Sequence, residues 1–197
     1  MSYHLFSPKG CDVNYNGTGI SRQYGEETYI VGGFTALHLA ATGQPEFVEK
    51  LLTIGDIIVD PIAEDGKTPL THAIIYAQPK VVRMLDGAGA DIFAEDSYGY
   101  QPINIAVAYG QLELVKTLIE LGADVDQGTG SSTSTTTSND TPLIIGAYYG
   151  YVDIVEYLVK IGAALDRQNS EDKTALDYAR EQGHQEVEKI LREAATG

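Results

Sequence analysis

Cysteines, signal-peptide features and membrane-length apolar runs are scarce or missing in this chain of 197 residues. Cys11 is its single cysteine, so an internal disulfide cannot form and nothing indicates an oxidising compartment. The chain has neither a basic start nor a long apolar run in its opening residues, so no signal peptide is visible. No apolar stretch approaches the roughly 20 residues that span a bilayer. We therefore expect a cytoplasmic protein.

Basic side chains are also few, with 13 Lys and Arg against 28 Asp and Glu, which gives a formal net charge of −15. Nucleic-acid binding depends on Lys and Arg that neutralise phosphates, so this balance disfavours DNA or RNA as a ligand. An anionic membrane surface is disfavoured for the same reason. The charge favours a basic protein or peptide partner, although many proteins are acidic only for solubility.

Motifs for redox, metal or nucleotide chemistry are absent, among them CxxC, HExxH, GxGxxG and GxxxxGK(S/T). Cys11 has no positioned His partner, and a lone thiol is more often inert than nucleophilic. Paired carboxylates are common in so acidic a chain, which makes them weak evidence for acid–base catalysis. We expect no catalytic residues, no cofactor and no metal site, so the chain is not expected to be an enzyme.

What the chain does contain is one short phrase repeated five times. The copies begin at Thr35, Thr68, Gln101, Thr141 and Thr174, with steps of 33, 33, 40 and 33 residues. They read TALHLA, TPLTHA, QPINIA, TPLIIG and TALDYA. A period of this size indicates a stack of similar units, each too small to bury its own apolar face. Function in such a stack lies on a long open surface, which favours binding over catalysis.

Each copy continues with a second helical pattern. About seventeen residues after the opening residue comes an apolar pair, and in four copies a glycine follows, at Gly55, Gly89, Gly122 and Gly162. In the third copy, residues 112–120 place apolar side chains at helical rather than strand spacing. The glycines suit left-handed helix caps.

The chain resembles the ankyrin repeat over residues 33–194, because it shares the T-P-L-H-x-A phrase and the period of that family. The resemblance implies an all-α ankyrin-repeat solenoid of helix-turn-helix units with β-turn fingers, about five repeats plus an N-terminal half-repeat. The predicted repeats are 33–65, 66–98, 99–138, 139–171 and 172–194.

Two segments depart from the regular repeat. Residues 10–14 match the Gly-Ala-Asp-Val-Asn ending of the family's repeats, so residues 1–32 are interpreted as a half-repeat with a long finger. This half-repeat is either the start of a longer array or a degenerate cap, and the presence of Met1 favours the cap. Residues 127–140 carry a Ser/Thr-rich insertion, flexible by composition. It is either a tolerated surface insertion or a finger ordered by a partner or by phosphorylation.

By family resemblance, the fingers and the exposed sides of the first helices line a concave face. Tyr76, Tyr109 and Tyr149 hold the same position in neighbouring repeats, so they should form a column with steps of about 10 Å. Tyrosine is enriched in binding hot spots. The alternative is a purely structural role, in which these rings only pack on each other between repeats. The predicted partner-binding residues are Phe34, Tyr76, Tyr98, Tyr100, Tyr109, Tyr148, Tyr149, Asp65, Asp96, Asp140 and Asp172.

His38 is the signature histidine of the family, which the resemblance assigns to bracing adjacent fingers. In the other copies its position holds Thr71, Asn104, Ile144 and Asp177. We therefore expect this bracing network to be eroded in the middle repeats.

The function that follows is a monomeric, non-catalytic interaction module with a Tyr-rich, acidic concave face. Aromatic rings beside carboxylates suit Arg or Lys side chains, so the partner is expected to be a protein or peptide, with a basic segment as the sharper hypothesis. Two alternatives stay open. The array is either the targeting or regulatory region of a larger enzyme or bacterial effector, or a purely structural spacer.

Overall fold

The computed structural model describes residues 20–24, 27–31, 33–130 and 138–196. The described part contains ten helices that follow one another in five pairs. The pairs are α1 (Ala36–Ala41) with α2 (Pro45–Leu52), α3 (Pro69–Ile75) with α4 (Pro79–Gly87), α5 (Pro102–Ala108) with α6 (Leu112–Glu120), α7 (Pro142–Tyr149) with α8 (Val152–Lys160), and α9 (Ala175–Glu181) with α10 (Gln185–Ala194).

The helices form two layers. The first helix of each pair packs on the first helix of the next pair, from α1 through α3, α5 and α7 to α9. The second helices stack in the same order, and the two helices within each pair also pack on each other. The structure therefore advances by one helical pair for each sequence repeat. This confirms the predicted all-helical solenoid of about five repeats.

The repeated phrase starts each first helix for a local reason. The Thr68 hydroxyl accepts the backbone N–H of Thr71 at 3.3 Å, and the Thr141 hydroxyl accepts that of Ile144 at 3.3 Å. Such caps satisfy N–H groups that have no partner within the helix. Pro69 and Pro142 follow at the first helical position, where a missing N–H costs nothing. At Thr68, Thr141 and Thr174 the opening residue thus fixes where the first helix begins.

The core runs between the two layers as one continuous apolar cluster. The leucine or isoleucine of each of the first four phrases is fully buried, at Leu37, Leu70, Ile103 and Leu143. The second helices contribute one wall, and Leu85, Leu118 and Leu158 lie in it without exposure. No pair encloses its own apolar face, so neighbouring pairs stabilise one another.

The fingers are braced more completely than the sequence led us to expect. His38 accepts the N–H of the residue that opens its helix and contacts a carbonyl of the next finger, each at 3.1 Å. Asn104 makes the same two bonds, at 3.1 and 2.9 Å. The expected erosion is therefore wrong in the third repeat. It holds in the fourth, where Ile144 is apolar and buried.

The first finger contains a β-hairpin that we did not predict. Strands β1 (Ile20–Tyr24) and β2 (Glu27–Val31) pair antiparallel, with Ile20 opposite Val31 and Tyr24 opposite Glu27. The hairpin lies within the segment interpreted as an enlarged finger. Residues 1–19, which carry the predicted half-repeat, and residues 131–137 of the Ser/Thr-rich insertion lie outside the described residues.

Candidate functional site

The exposed sides of the five first helices, with the finger that precedes each, form one surface, which we name the first-helix face. Three of the predicted tyrosines lie at equivalent positions on it, since Tyr76 and Tyr109 cap the ends of α3 and α5 and Tyr149 ends α7. Their exposed fractions are 53%, 54% and 50%. Three large aromatic side chains in register are therefore half open to solvent.

These three tyrosines do not stack on one another. Among the described residues, Tyr76 stacks on His72 with ring centroids 6.3 Å apart, and Tyr149 contacts Tyr148 and Tyr151 at 5.0 and 5.6 Å. Tyr109 belongs to none of the ring pairs that these residues form. The three tyrosines therefore do not form a ladder of rings packed on one another, and although Tyr76 and Tyr149 each stack on a neighbouring ring, about half of each side chain stays exposed.

The carboxyl-terminal half of the face holds an aromatic cluster around α7. Tyr148 contacts Tyr149 and also the ring of Tyr178, at 5.6 Å. Tyr178 was not predicted as a site residue, yet it joins the cluster because it lies on α9, packed beside α7. A sequence signal existed, since residue 178 is the fifth position of its repeat phrase, which faces the neighbouring repeat.

Asp140 ties this cluster to the fingers. The Asn169 amide donates to Asp140 Oδ1 at 2.6 Å and to the Tyr178 hydroxyl at 2.9 Å. Burial raises the pKa of Tyr100, and the neighbouring Asp140, Tyr149 and Asp96 raise it further. Asp140 and Tyr149 therefore lie within electrostatic range of Tyr100, while Asn169 is a polar partner that the sequence analysis missed.

The amino-terminal half holds a second cluster, which we name the histidine cluster: Phe34, His38, His72 and Tyr76. The Phe34 ring meets the His38 and His72 rings edge-on at 5.5 and 5.0 Å. His72 lies one turn before Tyr76 on α3 and was also missed. It holds the same phrase position as Tyr178, so an aromatic side chain at that position was the available signal.

The four predicted aspartates are less free than the acidic composition suggests. Asp65 accepts from Lys67 at 2.8 Å, and although burial alone would raise the pKa of Asp65, the bonds from Lys67 lower it overall. Asp96 accepts the backbone N–H groups of Tyr98 and Tyr100 at 2.9 and 3.0 Å, which shapes its finger. Asp172 is exposed, at a fingertip with φ +58°. Carboxylates on this face therefore also make hydrogen bonds that stabilise the fingers.

Two shallow depressions in the described part of the chain lie away from the first-helix face, one along the outside of α10 and one between α2 and α4. No group of three metal-binding side chains occurs among residues 33–130 and 138–196. Across the same residues, every helix is too short or too polar to cross a membrane. The face is an open surface that suits an extended ligand better than a small molecule.

The chain is similar to known repeat proteins along nearly its whole length. A family model described as "Ankyrin repeats (3 copies)" matches residues 4–96, 63–129 and 104–196. The B-cell lymphoma 3 protein homolog of Mus musculus is 36% identical over 57% of this chain and 24% of its own length. Protein phosphatase 1 regulatory subunit 27 of Mus musculus is 32% identical over 43% of this chain and 54% of its own length. The Transient receptor potential cation channel subfamily A member 1 homolog of Caenorhabditis elegans is 32% identical over 81% of this chain and 13% of its own length. The chain thus spans about half or less of these relatives.

Proposed function

This chain belongs to the ankyrin-repeat family, and from that membership we propose that it is a non-catalytic module that binds an extended segment of another protein along the first-helix face. Ankyrin repeats mediate protein–protein interaction, and the repeat itself is not a catalytic fold. What the repeat does not specify is which surface binds and what it binds, because one scaffold serves unrelated targets.

The observation that carries the proposal is the exposure of Tyr76, Tyr109 and Tyr149, each about half open to solvent on successive repeats. A tyrosine offers a large contact area and a hydroxyl at a low cost in rotamer entropy. Exposed rings in a row, flanked by fingers, give an extended segment several anchor points.

A basic partner is the finer part of the proposal. Helices α5 and α7, at the centre of the face, carry no Lys, Arg or His. Tyr149 and Asp140 lie within electrostatic range of Tyr100 there, and two aromatic rings near a carboxylate suit a guanidinium or ammonium group through cation–π and ion-pair contacts. The neighbouring Lys173 shows the same chemistry within the chain, because its ammonium lies 5.0 Å from the Tyr178 ring centre and pairs with Glu171 and Glu181. A partner cation would repeat this arrangement one repeat earlier.

A triple substitution tests the binding surface. The Tyr76→Ala, Tyr109→Ala, Tyr149→Ala variant is expected to lose at least tenfold in affinity, because alanine removes the contact area of three hot-spot candidates. Partners captured by the wild-type chain are identified by mass spectrometry, and their affinity for both forms is measured by calorimetry. The melting temperature is compared in parallel, since half-exposed side chains contribute little to the core.

The control changes two exposed apolar side chains at the ends of second helices, outside the face: Ile54→Ala after α2 and Ile161→Ala after α8. Each of these side chains is 38% exposed. The control is expected to keep its affinity. Unchanged binding by the tyrosine variant at an unchanged melting temperature would exclude the first-helix face as the binding surface.

A second proposal is that this module is the targeting or regulatory region of a larger enzyme. It is favoured because the chain spans 24% and 13% of two relatives, and another relative carries the name of a phosphatase regulatory subunit. The length of the native reading frame separates it from the first proposal. A frame that ends with this chain would leave only binding in trans to a separate enzyme.

A further inference from the structure

The histidine cluster holds two imidazoles in direct contact between the first two repeats. His38 on α1 and His72 on α3 lie edge to face, with ring centroids 5.4 Å apart. Phe34 contacts both rings from the first finger, and Tyr76 stacks on His72. The cluster therefore joins two histidines to two residues of the proposed binding face.

The hydrogen bonds of the two rings leave little room for an added proton. His38 accepts the N–H of Thr35 on Nδ1 and donates from Nε2 to the carbonyl of Lys67, each at 3.1 Å. Both nitrogens of the neutral ring are thus used, and a proton on Nδ1 would break the bond from the Thr35 N–H, leaving only the Thr35 hydroxyl oxygen, 3.0 Å away, as its acceptor. His72 Nε2 is buried with no hydrogen-bond partner in the described chain. A proton there would place an unpaired positive charge in the interior.

The charges that face the two rings do not offset such a proton. Burial first, and then the repulsion from a charge on His38, lower the pKa of His72 to about 4. Burial also lowers the pKa of His38, although the bond to Lys67 opposes this. Asp65 favours the charged forms, but it is paired with Lys67.

The other helices packed on α1 and α3 add no compensating charge beside the rings. Helix α5 has no titratable side chain. The charged residues of α2 and α4 are exposed or half-buried on the outside of those helices: Glu46, Glu49, Lys50, Lys80, Arg83 and Asp86. The cluster is therefore stable with both imidazoles neutral.

We propose that acidification loosens the contact between the first two repeats through the His38–His72 pair, and so releases a partner from the amino-terminal half of the first-helix face. The unfolded imidazoles titrate near pH 6.5, whereas folding holds both rings neutral to lower pH. Protons therefore bind the opened state preferentially, and stability falls as pH drops from 6.5 towards 4. Gly33 couples the first finger to this change, because its backbone lies directly against Ala63 and Glu64. The partner release rests on the proposed function, whereas the loosening does not.

Hydrogen exchange of the full chain without any partner tests the loosening. Opening of residues 36–75, corrected for the intrinsic pH dependence of exchange, is expected to rise on the order of tenfold from pH 7 to pH 5. Helices α7 to α10 are expected to change much less. Because no partner is present, the result stands whether or not the proposed binding surface is correct.

The variant His72→Phe keeps a ring but cannot take a proton. It is therefore expected to show no increase in the opening of residues 36–75 between pH 7 and pH 5. The control His184→Gln removes a histidine from the carboxyl-terminal half, where its Nε2 contacts the Tyr148 carbonyl at 3.0 Å, and is expected to retain the rise at residues 36–75. An equal rise in all repeats, or a rise that persists in His72→Phe, would overturn the proposal.

A titration of the wild-type protein covers the case in which His72→Phe does not fold. The imidazole signals are followed by NMR between pH 7.5 and pH 4, with the His72 signal assigned. A His72 midpoint well below 6 accompanied by broadening of the Phe34 and Tyr76 signals supports the proposal. A His72 midpoint at or above 6 overturns it.

Discussion

Asn104 shows how a single side chain can replace another of different chemistry. It is buried, its oxygen accepts the N–H of Gln101, and its amide donates to the carbonyl of Gln127. The neutral imidazole of His38 makes the same acceptor and donor contacts two repeats earlier. What the position requires is one acceptor and one donor at a suitable distance, and an amide supplies both without a titratable group.

We predict that Asn104→Ala lowers the free energy of unfolding by about 2 kcal/mol, because it leaves a partly buried N–H of Gln101 and a partly buried carbonyl of Gln127 without partners. Asn104→His is expected to lower the free energy of unfolding clearly less, since His38 shows that a histidine can make both hydrogen bonds. Urea unfolding at pH 7 measures the two differences. Equal losses for both variants would mean that packing volume, and not the pair of bonds, sets the energy at this site.

At the scale of elements, the fingers are connected to each other through their backbones. The N–H of Gly130 donates to the carbonyl of Gly99, and the N–H of Ser170 donates to that of Ser138, both at 2.8 Å. Thr129 and Ser138 are joined through their hydroxyls at 2.7 Å. The residues that flank the Ser/Thr-rich segment therefore belong to the finger framework, and they close its base.

Replacing residues 131–137 by Asn-Gly is expected to change the melting temperature by no more than about 2 °C, because a two-residue turn can close the paired ends. Replacing residues 129–139 by the same dipeptide removes the bonds to both neighbouring fingers, and is expected to lower the melting temperature by about 4 °C or more. Calorimetry of the two variants gives the comparison. A large loss for the shorter replacement would show that the segment itself stabilises the array.

The fifth pair has one apolar side and one charged side. Val187 and Leu191 of α10 are buried against the preceding pair, whereas its other side carries charged residues. Glu188 there lies between Arg180 and Arg192, with an ion pair to each. A helix with this charged outer side can face water.

At the scale of the whole molecule, the net charge of −15 acts on any charged partner before contact is made. Long-range attraction raises the association rate of a basic ligand and is screened by salt. The same field disfavours acidic partners. Binding that weakens with added salt is therefore expected of any basic partner, whichever protein it is.

An Arg-Gly repeat peptide of ten residues is expected to bind about tenfold more weakly at 200 mM than at 50 mM NaCl, because its attraction is largely electrostatic. Fluorescence anisotropy measures both affinities. The matched peptide carries citrulline in place of arginine, and is expected to bind weakly and with little dependence on salt. Equal binding of the two peptides would remove the basic partner from the proposal while leaving the tyrosine surface untouched.

The sequence by itself determined the number of helical pairs, their order and where each first helix begins. This information is local, because the Thr-Pro opening, the helical spacing of apolar residues and the glycines act within one repeat. It also identified Tyr76, Tyr109 and Tyr149 as equivalent positions, since equivalence follows from the period.

Only the tertiary structure decided which side chains meet. The contact of His38 with His72, the place of Tyr178 beside Tyr148 and the bonds of Asn104 depend on how neighbouring repeats are rotated and spaced. A repeat period specifies the step from one unit to the next but not the rotamers at their boundary. The two aromatic clusters, and the acid sensitivity inferred for one of them, arise at those boundaries.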